Sequence, residues 1–312
     1  MEAGLFFVDS VFYNSLGLFF VALGVLVSVR FAGYPDLTAD GSFTLGAALY
    51  ALSVAQGLSP IYALPLAAVG GVFAGFSTAI LNQFFHIGKI ISGVLVMVSL
   101  VLIVPYFSGN ATVGLLRTEN MFTVVARADA DLGSLIAQGA SYTPHIIFSA
   151  LVLALLASVS VLLWIFFRSG FGVRMRYCGS ATDPNLLTLR TRTRLLCAGL
   201  ALGNALIACG GAIEVERTGG FSPHMGTGII LVGIAVVVLG ESLIKSFTQR
   251  VNLYLLQYLG ACFIGVLAYT LIIQAILSSS SAFVDIRLLS TLVLVVVLAY
   301  AAYFHSNARE LF

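Results

Sequence analysis

Two long apolar segments flank the polar stretch Tyr34-Pro35-Asp36-Leu37-Thr38-Ala39-Asp40-Gly41-Ser42-Phe43. Each flanking segment is long enough to form a membrane helix. A carboxylate near the centre of a membrane helix costs about 2.5 to 3.5 kcal/mol, so Asp36 and Asp40 are expected to face the protein interior or a wet cavity. The stretch therefore predicts a polar feature inside a bundle of membrane helices.

The overall composition is that of an integral membrane protein. Apolar residues make up 60% of the 312 residues and charged residues 9%, and the mean hydropathy is +1.05, far from the values of a soluble domain. The apolar runs are about 20 residues long and do not alternate with polar residues, which argues against a membrane β-barrel. We predict an all-α polytopic bundle, in which the 31 glycines let helices approach closely.

Apolar runs mark the candidate membrane helices. They cover 11–30, 42–57, 60–82, 90–107, 145–167, 195–213, 227–245, 253–275 and 287–305. The second run is short and follows the polar stretch directly, so it is either a broken or re-entrant helix or a full crossing. We expect about eight to ten membrane helices.

Basic residues orient the bundle, because short loops rich in Lys and Arg stay in the cytoplasm. Segment 168–194 holds six of the 15 basic residues and a single acid, Asp183. The six are Arg168, Arg174, Arg176, Arg190, Arg192 and Arg194. With 168–194 inside, Arg30, Lys89, Lys245, Arg250 and Arg309 also fall inside, whereas Arg117, Arg127, Arg217 and Arg287 fall outside. Segment 108–144 is then a long extracytoplasmic loop.

A short pattern recurs along the chain. Ser42-Phe43-Thr44-Leu45-Gly46-Ala47 opens one apolar run, and Ser222-Pro223-His224-Met225-Gly226-Thr227 opens another. The predicted topology puts the two turns toward opposite faces, as an inverted repeat would, and chance similarity is the alternative. The four cysteines show no CxxC spacing and the four histidines are scattered singly, so we expect neither a structural disulfide nor a metal site.

Three groups of residues resemble a known family. They are PDLTxDGSF with the following LGAA in 35–48, Lys89 to Met97, and Phe221 to Ser242. Their order resembles the permease subunits of bacterial ABC importers of the branched-chain amino acid type. More narrowly, it resembles the subgroup with the PDLTxDGSF turn, some of whose members are linked to aromatic amino acids. The resemblance extends from about residue 11 to residue 300 and implies that 1–312 form a single transmembrane permease domain.

The resemblance implies a set of partners in the bacterial cytoplasmic membrane. They are a cytoplasmic ATP-binding subunit, an extracytoplasmic substrate-binding protein and a second permease copy in the lipid bilayer; no nucleic acid is implied. The chain contains no G-x-x-x-x-G-K-[ST] loop, so we expect no ATP site and no enzymatic activity of its own. ATP and magnesium would be bound by the partner.

Segment 168–194 contains the expected contact with the ATPase. Gly170 to Gly179 are predicted to form a short helix bounded by glycines, and the resemblance makes this the coupling helix. The candidate coupling residues are Gly172, Val173, Arg174, Met175, Arg176, Tyr177 and Gly179. A basic anchor for anionic lipid headgroups is the alternative. The sequence departs from the family pattern after Gly179, which leaves the choice of partner open.

The polar stretch is also the candidate substrate pathway. Asp40 or Ser42 is positioned to cap a helix that begins at Phe43. If that helix end faces a pore, its dipole could meet a substrate carboxylate while Asp36 or Asp40 meets an ammonium group. The alternative is that both acids only cap the helix or pair with Arg30. The candidate pathway residues are Asp36, Thr38, Asp40, Ser42, Phe43, Thr44, Asn204, His224 and Met225, with Gln257 as a further one.

Each of the other charged residues near the ends of the predicted helices has two possible roles. Glu241 is expected to pair with Arg250 or to contact the cytoplasmic segment. Glu214, Glu216 and Arg217 either dock a binding protein or form a solvated charged loop. Three functions stay open: an ABC importer permease that moves a small polar solute, such as an amino acid, by alternating access; a secondary transporter that works alone; and a membrane scaffold.

Overall fold

The computed structural model of the chain describes residues 2–108, 112–115, 143–180, 188–248, 254–279 and 295. It is built from helices and one pair of short strands. The first helix, α1 (Glu2–Val25), continues as a π-helix (Leu26–Phe31). The other elements are α2 (Ala39–Ala55), α3 (Pro60–Gln83), α4 (Lys89–Ser108), β1 (Val113–Gly114), α5 (Thr143–Arg168), α6 (Gly170–Ser180), α7 (Leu189–Thr218), β2 (Gly220–Phe221), α8 (Ile229–Thr248) and α9 (Leu255–Ser279).

Six described helical segments are long and apolar enough to cross a membrane, which confirms the prediction of an all-α polytopic protein. They are Val11–Phe31, Pro60–Gln83, Lys89–Ser108, Leu189–Thr218, Ile229–Ser246 and Leu255–Ile276. Helices α5 and α6 form a bent pair, with an angle of 83° between Leu153–Arg168 and Gly170–Gly179, that counts as a seventh span if the two are taken together. Apart from residue 295, the predicted helix at 287–305 lies outside the described residues.

Helix α2 is too short to cross the bilayer unaided. Its 17 residues rise about 25 Å, whereas the hydrocarbon core is about 30 Å thick. It begins at Ala39, three residues before the predicted start of this apolar run. The connection 32–38 therefore has to lead the chain from the π-helix to a helix start inside the bundle.

Helix α7 lies at the centre of the bundle and packs against α1, α2 and α3. It meets α1 through two reciprocal glycine pairs. A Cβ atom on Gly24 would lie 2.5 Å from the carbonyl oxygen of Gly203, and one on Gly17 would lie 3.2 Å from that of Gly210. The pairing is antiparallel and brings backbone against backbone, as small residues permit in membrane helices.

The two ends of the bundle differ in their connections. At one end, the α6 end, a Cβ atom on Gly179 would lie 2.4 Å from the carbonyl oxygen of Phe31, and Lys89 donates from Nζ to the carbonyl oxygen of Gly33 at 3.1 Å. At the other, the sheet end, β1 pairs antiparallel with β2, and Arg217 donates to Asn14 at 2.8 Å.

The basic residues lie at the two ends of the bundle in the way that the predicted orientation requires. Arg30 and Lys89 lie at the α6 end, together with the basic segment around α6, and Arg217 lies at the sheet end. That the α6 end faces the cytoplasm stays a prediction. Most of the predicted extracytoplasmic loop 108–144 lies outside the described residues, but Val113 pairs with Phe221.

Candidate functional site

A cluster of buried polar side chains lies where the connection 32–38 enters the bundle. The carboxylate of Asp36 accepts hydrogen bonds from the backbone N–H of Thr38, at 2.9 Å, and from the side-chain amide of Asn204. Asn204 also accepts a hydrogen bond from the hydroxyl of Ser42 at 2.6 Å and donates to the carbonyl oxygen of Leu200. One amide on the central helix α7 therefore fixes both the connection and the start of α2.

The hydroxyl of Thr38 extends the cluster to α3 and α4. It lies 2.6 Å from the hydroxyl of Thr78 and 3.5 Å from the carbonyl oxygen of Gly93. We call Asp36, Thr38, Ser42, Thr78 and Asn204 the polar cluster; each of the five is at most 1% exposed. The cluster is therefore closed to solvent in this conformation.

The carboxylate of Asp36 is held by neutral donors. In the part of the chain that the structure describes, neither Asp36 nor Asp40 forms an ion pair. The alternative prediction, that these acids pair with Arg30, is wrong, because Arg30 pairs with Glu241. A buried carboxylate without a cation is unusual, since buried charges are normally paired, and such groups inside a membrane bundle commonly mark a functional site.

Asp40 is bound to the beginning of a different helix from the one predicted. Its two carboxylate oxygens accept hydrogen bonds from the backbone N–H groups of Gly228, at 2.8 Å, and Ile230, at 2.9 Å. The predictions that Asp40 or Ser42 caps the helix that follows are both wrong. The cap position of α2 is Thr38, which makes no side-chain capping hydrogen bond, and Ser42 bonds to Asn204.

The capped end of α8 lies within the bundle. A Cβ atom on Gly233, one turn into α8, would touch the side chains of Val21 and Val25, in the middle of the span Val11–Phe31. A free helix N-terminus carries about half a positive charge and four unsatisfied N–H groups, which lipid cannot solvate. Asp40 supplies the acceptors and the opposite charge that this end requires.

The segment before α8 lies directly on the first turn of α2. A Cβ atom on Gly226 would lie 2.3 Å from both the carbonyl oxygen of Asp40 and the hydroxyl of Thr44. That hydroxyl donates to the carbonyl oxygen of Asp40 at 2.9 Å. The starts of α2 and α8 therefore meet, and the polar cluster lies next to this junction.

The remaining predicted pathway residues are dispersed. Phe43 is buried in the hydrophobic core, and Met225 is partly buried and accepts a hydrogen bond from the N–H of Ser222 through its sulfur. His224 is exposed and makes none of the hydrogen bonds described for Asp36 or Asp40. Gln257 accepts a hydrogen bond from the N–H of Tyr254 at the start of α9.

Helix α6, which the sequence predicted between Gly170 and Gly179, divides its candidate coupling residues between two faces. One face packs on the chain itself: Met175 is fully buried, Gly172 lies against the backbone of Phe167, and Arg176 donates to the carbonyl oxygen of Phe167 at 3.2 Å. Gly179 belongs to this face through its contact with Phe31. The outer face consists of Phe171, Val173, Arg174 and Tyr177, all exposed.

The charged residues at the helix ends are paired within the chain. Arg30 donates to both oxygens of Glu241, at 2.9 and 2.6 Å. The expected partner Arg250 lies outside the described residues. At the sheet end, Glu214 pairs with Arg217, and Glu216 accepts a hydrogen bond from the hydroxyl of Tyr50 at 2.5 Å.

An apolar cleft lies near the sheet end. No residue of the polar cluster lines this cleft. Its lining consists of Leu16, Phe20, Tyr50, Leu64, Leu155, Ala212, Ile213 and Glu216.

Sequence reasoning missed three features of the structure. Thr78 is a single hydroxyl in the small-residue region of α3, and its neighbours Ala74, Gly75 and Ala79 were the only signal of a close helix contact there. The pairing of Arg30 with Glu241 could have been predicted, since the predicted topology places both residues near the cytoplasmic face of the membrane. Nothing in the sequence indicated that the N-terminal amides of α8 bind Asp40, because every residue other than proline has such an N–H group.

Comparisons with known proteins agree with this architecture. The family model described as "Branched-chain amino acid transport system / permease component" matches residues 7–302. The chain is 28% identical over 290 residues, which cover 93% of this chain and 90% of its relative, to a "Tyrosine transport system permease protein" of Clostridioides difficile (strain R20291). It is 24% identical over 286 residues, 92% of this chain and 94% of the relative, to an uncharacterised protein of Rickettsia prowazekii (strain Madrid E). No solved structure matches the chain. Since the family model covers nearly the whole chain, the protein belongs to the permease components of branched-chain amino acid transport systems.

Proposed function

We propose that this chain is the membrane permease of an ABC importer that carries an amino acid or a related zwitterion into the bacterial cytoplasm. The observation that carries the proposal is the junction of α2 and α8, where Asp40 accepts hydrogen bonds from Gly228 and Ile230 inside the bundle. Family membership and the similarity to a tyrosine transport system permease protein support the same substrate class.

The junction offers both charges that a zwitterion requires. The N-terminal N–H groups of α8 suit a carboxylate, and the acids Asp36 and Asp40 suit an ammonium group. Asp40 holds the helix terminus in the present conformation. A substrate carboxylate that reached the junction would compete with Asp40 for the same N–H groups and leave the Asp40 carboxylate free to meet the substrate ammonium.

Transport requires the closed polar cluster to open toward one side at a time. Asp36, Thr38 and Asn204 are at most 1% exposed, so this conformation has no continuous water path through them. We propose that alternating access separates α8 from the start of α2, next to the polar cluster, and thereby exposes the cluster in turn to each face.

Helix α6 is the proposed site of energy input. A coupling helix needs a face that packs on the permease and an exposed face that the ATPase can contact. Met175 and Gly172 supply the first, and Val173 and Tyr177, flanked by Arg174, supply the second. An apolar anchor between basic residues fits a groove on a partner protein. Under this proposal ATP and magnesium are bound by that partner.

A secondary transporter that works alone is the second candidate. It would need its own relay of ionisable groups along the pathway. The carboxylates of Asp36 and Asp40 accept hydrogen bonds from neutral amide N–H groups, and these bonds do not connect them to further acids or histidines within the described residues. This arrangement favours an external energy source.

The test is uptake by the purified chain in proteoliposomes, with and without the ATP-binding subunit and the binding protein encoded near its gene. We expect tyrosine and related amino acids to be taken up only when the ATPase and ATP are present. Uptake of equal rate by the chain alone would show a secondary transporter. Failure of the chain to associate with any ATP-binding subunit would overturn the proposal.

A further inference from the structure

The ion pair between Arg30 and Glu241 is placed where it can control opening of the bundle at the α6 end. Arg30 donates from Nε to Oε1 at 2.9 Å and from Nη2 to Oε2 at 2.6 Å, so two parallel hydrogen bonds fix the geometry. The pair joins the π-helix after α1 to α8. The two residues are 211 positions apart in the sequence and form the only interhelical ion pair among the described residues.

The two members of the pair differ in their access to water. The side chain of Glu241 is 4% exposed and that of Arg30 is 23% exposed. A carboxylate buried in this way is costly unless a cation compensates it, whereas Arg30 can reach water at the bundle end. The pair is therefore strong while it is closed, and Arg30 is the partner that can leave.

The element that carries Arg30 is irregular. Leu26–Phe31 is a π-helix, a conformation that is rare and concentrated at functional sites. It ends with hydrogen bonds from Ala32 to Val27 and from Tyr34 to Ser28, both at 2.9 Å, followed by Gly33 at φ +63°. A helix that ends in this way can change its last turn without unwinding α1.

Helix α6 touches the chain immediately after Arg30. A Cβ atom on Gly179 would lie 2.4 Å from the carbonyl oxygen of Phe31, and one on Gly33 would lie 2.8 Å from the carbonyl oxygen of Gly179. The rings of Phe31 and Phe167 lie 4.5 Å apart, centre to centre. Since no side chain separates these backbones, a displacement of α6 must move residues 31–33.

We propose that Arg30 and Glu241 form a latch that keeps the α6 end of the bundle closed, and that displacement of α6 opens it by shifting the π-helix. This inference rests on the proposed function, in which α6 receives the motion of the ATPase. The latch residues do not contact the substrate site. They act by positioning α8, whose other end is held by Asp40.

The first experiment uses the chain in everted membrane vesicles and needs no partner. Ser28 is 2% exposed and lies two residues before Arg30. In Ser28→Cys, we expect slow labelling by a membrane-impermeant maleimide, and at least tenfold faster labelling when Glu241→Gln is added. The wild-type chain, which contains only the four native cysteines, gives the background rate of labelling. The charge reversal Arg30→Glu with Glu241→Arg should restore slow labelling.

Arg217→Gln is the matched control, because it removes an ion pair within α7 at the sheet end. It should leave labelling at position 28 unchanged. Thermal unfolding of each detergent-solubilised variant shows whether it is folded. If Ser28→Cys with and without Glu241→Gln is labelled at the same rate, and both variants are folded, the latch is overturned.

The second experiment uses the assembled transporter. The cysteines of Arg30→Cys with Glu241→Cys are joined by a bis(methanethiosulfonate) whose spacer replaces the two long side chains; each thiol forms a disulfide with the reagent and releases methanesulfinate. We expect uptake to fall at least tenfold on cross-linking and to recover with reductant. Unchanged uptake by the cross-linked protein would refute the latch. Absence of uptake by the wild-type complex would instead refute the proposed function, and the latch would then be tested by the labelling experiment alone.

Discussion

Asn204 donates a hydrogen bond to the buried carboxylate of Asp36 and accepts one from Ser42, so a single side chain on α7 joins the connection 32–38 to α2. Replacing Asn204 removes the donor to Asp36 and the acceptor for Ser42 together, and the space it leaves is closed to water.

Asn204→Leu should destabilise the protein strongly. The change leaves the Asp36 carboxylate buried with fewer donors, and loss of a partner from a buried charged group costs about 3 kcal/mol. Thermal unfolding in detergent should show a clearly lower midpoint. Ser42→Ala is the milder comparison, because it removes one hydrogen bond worth about 1 kcal/mol. Equal midpoints for the two variants would contradict this role of Asn204.

Asp40→Ala should lower both stability and uptake, whereas Asp40→Asn should retain most of the stability. An asparagine keeps an oxygen for one of the N–H groups of Gly228 and Ile230, whereas alanine leaves both without a side-chain acceptor. Loss of such a cap costs about 0.5 to 2 kcal/mol. Thermal unfolding and reconstituted uptake measure the two effects separately. If Asp40→Asn transports as the wild type does, the negative charge at this position has no part in binding the substrate.

Gly24→Ala should destabilise the bundle by about 1 to 3 kcal/mol, because the added Cβ atom would lie 2.5 Å from the backbone of Gly203. Gly260→Ala is its matched control in α9, where the nearest atom to an added Cβ would be 3.9 Å away. Alanine favours the helix by about 1 kcal/mol relative to glycine, so the control should be neutral or stabilising. Unfolding midpoints that change in the same direction would argue against the close approach of α1 and α7.

Tyr177→Ala together with Val173→Ser should weaken association with the ATP-binding subunit at least tenfold and leave the fold intact. Both side chains lie on the outer face of α6, 44% and 47% exposed, so their removal creates no cavity in the chain. Co-purification and ATPase stimulation measure the contact. Leu189→Ala, at a side chain that is 77% exposed, provides a control outside α6. Vesicles with anionic lipids test the alternative, since a lipid anchor would depend on Arg174 rather than on Tyr177.

The sequence predicted the architecture better than it predicted the contacts. Long apolar runs set the boundaries of α3, α4 and α8 to within three residues, whereas α7 extends six residues before and five after the predicted run 195–213, because lipid requires continuous apolar helices but not that they end with the apolar run. Glycines at 170 and 179 correctly indicated a short helix in the basic segment. These features depend on local composition, which a single sequence displays directly.

The partners of Asp40 show what local reasoning could not reach. Capping rules point to the helix that follows an acid, yet its acceptor oxygens bind N–H groups 188 and 190 residues further along the chain. Those donors are backbone groups and exist at almost every residue, so the sequence carries no mark of their use. The partner of Asp36 was easier to anticipate, because Asn204 is a single amide in an apolar helix.

The reciprocal glycine pairs between α1 and α7 restrict how a transport cycle can proceed. Helices that touch through main-chain atoms have no interlocking layer whose rotamers could rearrange, so these two should travel as a single rigid body. Spin labels placed at their exposed ends should report a constant separation whether or not nucleotide is bound. The changes in distance should appear instead between this body and α8, which meets α1 and its π-helical extension through the side chains of Val21 and Val25 and through the ion pair of Arg30 with Glu241.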